Sequence, residues 1–151
     1  MADLGSTRIF GNLNVSGSIS ETRSAVVSTF TSTDTSTDFN GTNVPVPWDT
    51  TILATPSVSK ASASEVQVSD AGLWEFSVNL SFNSGRYRSN TGLKFWINGI
   101  EQNPSAQSSY IRAASGHNHS SSSMTAVFNL SANDKVEVKT IVRGNSGTVN
   151  L

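Results

Sequence analysis

The sequence predicts an all-β fold, a two-layer β-sandwich that follows an extended N-terminal arm, and three observations point that way. Ser, Thr, Asn and Gly stand where charged side chains usually do: charged residues make up 14% of the 151-residue chain, against roughly 25% in an average soluble protein. Apolar residues alternate with polar ones at period two in several stretches, and no stretch repeats at the helical period. Turn residues (Gly, Asn, Asp, Pro) recur about every ten positions, the rhythm of short strands joined by tight connections.

Residues 8–20 alternate first, with Ile9, Leu13, Val15 and Ile19 on one face and Gly11 and Gly17 in the same series. A single narrow apolar face cannot form a core. It has to pair with the body of the chain, a neighbouring subunit or another surface. Residues 24–43 turn Ser/Thr-rich and read as a short strand, Ala25-Val26-Val27, followed by a polar connection. Pro45 and Pro47 bracket Val46 ahead of Trp48. Proline cannot donate to a sheet ladder, so this piece reads as an edge or an extended loop that anchors the tryptophan.

The body begins near Thr51. Ile52 to Ala54 predicts a strand, Ser57 to Lys60 a continuation past Pro56, and Val66 with Val68 a brief alternating piece before a turn at residues 69–72. Trp74, Phe76, Val78, Leu80 and Phe82 then fall on one face, with Glu75, Ser77, Asn79 and Ser81 on the other. Five large apolar residues in strict alternation mark a half-buried strand. Leu93, Phe95 and Ile97 supply another inward face, with Lys94 and Trp96 outward, and Asn98-Gly99 follows at once. Asn-Gly is the strongest short hairpin signal, because a type I′ turn needs positive φ at both central residues. A short strand is expected around Tyr110 and Ile111. Met124, Ala126, Phe128 and Leu130 alternate again, residues 131–134 turn the chain, and Val136, Val138, Thr140 and Val142 return it. A last turn at residues 144–147 leads to Val149.

Several function classes lose support on composition. A net charge of −1 gives no electrostatic basis for capturing nucleic acid or an anionic membrane. With no cysteine there is no thiol catalysis, zinc-thiolate site or disulfide. The first ten residues lack the apolar core of a secretory signal, and no stretch approaches the roughly 18 apolar residues of a membrane span. The expectation is synthesis in the cytoplasm, to stay there or be carried out within a larger particle, with no cofactor and neither nucleic acid nor membrane as partner.

Residues 66–82 resemble the strand entry of C1q/TNF-like jelly rolls. Residues 93–99, 127–136 and 137–143 match the same layout in order, with Ala132-Asn133-Asp134 where that family usually has Ala-Gly-Asp. The likeness covers residues 51–151. Residues 11–17 look like segments common in bacteriophage fibre and capsid-decoration proteins. Together the resemblances imply a homotrimeric jelly-roll knob, residues 24–151, carried by an attachment arm, residues 1–23. The expected location is a virion, on the capsid exterior. The implied partners are further copies of the chain and the major capsid protein or another virion protein; a host surface glycan is the alternative.

Candidate site residues follow. Ile9, Leu13, Val15 and Ile19 are the expected capsid-attachment face. Arg86, Tyr87, Arg88 and Trp96 are residue types that anchor interfaces, and form a candidate partner or glycan patch. His117 and His119, two apart, point the same way in a strand, and three copies around an axis would place six imidazoles together. Their Gly/Ser-rich surroundings, residues 115–123, read as a solvated loop instead, so they are weak metal candidates. No serine sits in a Gly-x-Ser-x-Gly context, and Asp34, Asp38, Asp49, Asp70 and Asp134 all fall in turn-like sequence, where local backbone bonding accounts for them. The chain is therefore expected not to be an enzyme.

Overall fold

The structure, a computed structural model, describes residues 28–39, 41–84, 88–103, 107–112, 117–142 and 149–151. These residues are all-β, with strands β1 (Thr29–Thr31), β2 (Val44–Pro45), β3 (Thr50–Leu53), β4 (Val58–Lys60), β5 (Glu65–Val68), β6 (Gly72–Ser84), β7 (Thr91–Ile97), β8 (Ile100–Glu101), β9 (Gln107–Ser108), β10 (His119–Leu130), β11 (Lys135–Val142) and β12 (Val149–Asn150). Ala25-Val26-Val27 and the arm lie outside the described residues.

Two sheets stack to form a β-sandwich. One has the order β10-β6-β12; the other runs β4-β5-β11-β7-β8, with β2 also on β11 and β9 also on β7, and β1 pairs with β3 beside them. All the pairings are antiparallel. They also nest. Phe39 N–H donates to Val149 O at 2.6 Å; inside that contact β5 pairs with β11, then β6 with β10, then β7 with β9, and innermost β7 with β8. The chain is thus a long hairpin folded over on itself, with its successive pairs dealt to alternate layers.

The alternating residues meet between the layers. Leu80 and Phe82 of β6, Leu93 and Phe95 of β7, Met124 and Leu130 of β10, and Val136 and Val138 of β11 are buried in one cluster. At its centre Phe95 reaches across to the opposite sheet, edge-on to Phe128 at 5.4 Å between centroids and tilted against Phe76 at 6.1 Å. Edge-to-face packing of this kind adds about 0.5–1.5 kcal/mol beyond burial. Phe39 and Val46, in the polar stretch before the body, are also fully buried.

At the other end the core turns polar. Ser84, Ser89, Thr91, Ser109 and Ser122 are buried there, and the Ser89 and Thr91 hydroxyls bond each other at 3.0 Å while Ser109 Oγ donates to Thr91 O at 3.0 Å. This corrects the loop expected over residues 115–123. From His119 onward the stretch is strand, paired residue for residue with β6, because small hydroxylated side chains fill the tapering end of the sandwich as well as β10's large residues fill its middle.

The Asn98-Gly99 hairpin forms as expected. Both residues have positive φ, 50° and 80°, the combination a two-residue type I′ turn requires.

Replacing Phe95, fully buried at the meeting of the sheets, by Ala is expected to cost about 3–5 kcal/mol in urea unfolding. Ile52→Ser, at a side chain 64% exposed on β3, is expected to change stability by less than about 0.5 kcal/mol. Equal losses in the two variants would mean that the core is not centred on Phe95.

Candidate functional site

Among the described residues, the sandwich is open along one side of β6. Trp74, Phe76 and Val78 point inward yet remain half-buried, while Leu80 and Phe82 farther along the same face are buried. The cause is unequal coverage. On one side β10 pairs with β6 from Gly72 to Asn83; on the other, among the described residues, β12 pairs only with Asn83 and Ser84. A cleft of about 770 Å³ lies beside the uncovered length, walled by Phe30, Trp48, Val58, Trp74, Phe76 and Val78 and floored by Phe95 and Val138 of the opposite sheet. A narrower cleft of about 240 Å³ continues past Leu80 to Leu151 and shares Phe30 and Trp48 as its wall.

The groove is built by local sequence. Trp48 is held by its N–H to Ala63 O at 2.7 Å, and the Trp74 indole N–H donates to Asp70 O at 3.0 Å, which fixes the ring over the turn that starts β6. Opposite, β1 is fastened to β3, and Ser28 Oγ bonds Thr55 Oγ1 at 3.1 Å. The result is an apolar trough whose strand edge is free among the described residues, a form suited to an extended peptide segment or to stacking of a flat apolar group.

Short Asp and Asn side chains shape the turns around it. Asp34 accepts from Ser36 N–H at 2.7 Å and Thr37 N–H at 3.1 Å and from the Thr37 hydroxyl. That hydroxyl first, then the backbone donors, hold its carboxyl well below the usual range. Asp49 accepts from Thr33 N–H at 2.9 Å, which lowers its pKa in the same way. Asp38 accepts from Val149 N–H at 3.0 Å.

Asp134 ties two turns together. Asn98 Nδ2 donates to Asp134 Oδ1 at 2.8 Å, Ser131 N–H donates to Oδ2 at 2.8 Å, and Lys135 N–H donates back to Asn98 Oδ1 at 3.0 Å. The Asn98 amide, then the Ser131 N–H, lower the Asp134 pKa.

The residues singled out in the sequence fall in separate places. Arg86 and Tyr87, and the arm residues Ile9, Leu13, Val15 and Ile19, lie outside the described residues. Arg88 is exposed ahead of β7, whereas Trp96 sits near its far end, so the strand separates them by roughly 16 Å or more. Trp96 is half-buried on the outer face of the larger sheet, with Lys139 Nζ 4.4 Å from its ring centroid. Its indole nitrogen is buried with no partner among the described residues. Lys139 also pairs with Glu137 at 3.0 Å, and Lys94 with Glu101 at 2.6 Å, so the ring lies in a mosaic of charges. His117 and His119 are both exposed, and no group of three or more potential metal ligands occurs among the described residues.

The groove itself escaped the sequence reading. Its residues were legible as apolar, and Trp48 as anchored, but the bare edge of β6 follows from a pairing between distant segments.

A carboxylate with a lowered pKa stabilises the fold above its ordinary 3.8, and that contribution fades as pH falls through and below this value. Asp134→Ala is therefore expected to lower Tm at neutral pH and to flatten the fall in Tm between about pH 4 and pH 2. Differential scanning calorimetry at several pH values reads both; a variant that keeps the parent's acid profile would remove Asp134 from the account.

Comparison with protein-family models gives no match to this chain, and no curated protein matches it.

Proposed function

We propose that this chain is a non-enzymatic structural protein of a bacteriophage virion. In this reading it is a homotrimeric, C1q/TNF-like jelly roll that decorates the capsid exterior and grips the shell through residues 1–23. The observation that carries the reading is the contrast between the two parts of the chain. Residues 28–151 contain a sandwich with its own core, whereas residues 8–20 offer one narrow apolar face that cannot form a core by itself. The nested pairing, 39 with 149, then β5/β11, β6/β10 and β7/β9, supports the jelly-roll part, since a rolled-up hairpin of this kind is how an eight-stranded double sheet closes. The mechanism is adhesive. Ile9, Leu13, Val15 and Ile19 would bury against the major capsid protein or another virion protein by strand addition, and three arms on one trimer multiply a weak contact into a durable one.

A second reading, a receptor-binding knob of a short tail or head fibre, draws on the groove. Trp48 and Trp74 are half-buried in the groove beside Asp70, and aromatic faces next to a carboxylate suit a host surface glycan. The outer face around Trp96, with Lys139 over its ring, is the other place such a partner would sit.

Light scattering is expected to give a mass three times the 16.0 kDa chain; a monomer would undo the trimer. Leu13→Asp with Val15→Asp is expected to weaken binding to undecorated particles by more than about a hundredfold while leaving the trimer intact. Unchanged binding, or a copy number of only a few per particle in cryo-EM, would end the decoration reading. Specific retention on a glycan array would favour the knob.

A further inference from the structure

We propose that the open lane beside β6 is the seat of this chain's own arm. Residues 9–19 would run there as an added strand, antiparallel to β6, with Ile9, Leu13, Val15 and Ile19 turned into the groove.

Four observations converge on that occupant. The first is the lane itself. From Leu73 to Phe82 the backbone of β6 has no strand on its second edge among the described residues. A long bare edge over an apolar trough invites uncontrolled pairing, and natural sandwiches cover such edges. The second is direction. Ser28 and Thr29 line the wider cleft with Gly72, whereas Thr31 and Ser32 line the narrower one with Leu80 and Ser81. The described chain therefore starts at the Gly72 end and runs the same way as β6. A strand antiparallel to β6 would finish at that end, and residues 20–28, which reach up to about 26 Å when extended, would make the return.

The third is length: eleven residues from Ile9 to Ile19 match ten from Leu73 to Phe82. The fourth is the sorting of side chains. The arm's apolar series would face Phe30, Trp48 and Phe76, and Gly11 and Gly17 in that series leave room for rings, as aromatics covering strand glycines do elsewhere. Its other face carries Asn12, Asn14, Ser16 and Ser18, with Phe10 at its start, and would continue the outer face that Ser77, Asn79 and Ser81 already present. Seated this way, the arm gives the lane-facing amides and carbonyls of β6 their partners. This docking stands whether or not the arm also grips a shell.

The full-length chain has no cysteine, so Ser16→Cys accepts a single nitroxide on the outward face. In a sample where a little spin-labelled, isotope-labelled chain is diluted into unlabelled chain, the amides of Leu73–Phe82 are expected to broaden. In the converse sample, with spin label and isotope on different copies, they are expected to stay sharp. Hydrogen exchange gives a second reading: the lane-facing amides of β6 are expected to exchange roughly a hundredfold slower than in Leu13→Asp/Val15→Asp. Broadening only between copies, broadening in neither sample, or protection that survives the double substitution would each overturn the proposal. All of these measurements use free protein without particles, so the result is independent of capsid binding.

Discussion

The pairing of β6 with β10 is the constraint on which the rest of the fold depends. Twelve consecutive residue pairs, from Gly72 with Leu130 to Asn83 with His119, join segments that lie far apart in sequence. Once they are in register, the chain between them is bound to fold back, and β7 and β9 close inside the loop. The same register puts Phe76 opposite Ala126 and Trp74 opposite Phe128, so both strands show their large residues to β7 and β11. A slip of one residue would turn every one of them to solvent. The pairing is costly in chain entropy before it is rewarded, and what rewards it is the burial across the layers around Phe95.

The groove is the other consequence of that strand. β6 is longer than the partners on its second side, so its first half holds three large residues, Trp74, Phe76 and Val78, that one sheet alone cannot cover. Strength of pairing on one edge and exposure on the other are thus properties of one segment. Among the described residues, an apolar groove arises without any loop having to be elaborated for it.

Much of this was legible where the signal is local. Asn98-Gly99 predicted its hairpin because positive φ is a property of two residues, and Trp74 to Phe82 predicted a strand because alternation is a property of nine. The turn at residues 131–134 was legible for the same reason, with Asn133 at φ 74°. The failures share a different cause. His119 to Ser123 looked like a loop because serine carries no apolar signal, yet Ser122 is buried against the far end of the core. Phe39 looked like part of a polar connection, and is fully buried because β12 passes beside it. The groove was hidden for a stronger reason: an uncovered edge is defined by what does not pair with it. No sequence window contains that.

On the two proposals taken together, an arm with a seat on its own domain would change what attachment to a shell means. The apolar stripe of Ile9, Leu13, Val15 and Ile19 would be covered in the free protein, which protects a low-charge chain from pairing through that stripe or through the edge of β6. A shell would then have to compete for the arm, and the observed affinity would register only the difference between the two seats. A modest difference at one arm, repeated on three arms of a trimer, still gives a durable attachment. Under these two proposals, a free protein that stays in solution and a bound protein that stays on the particle would both follow from one strand with two competing seats.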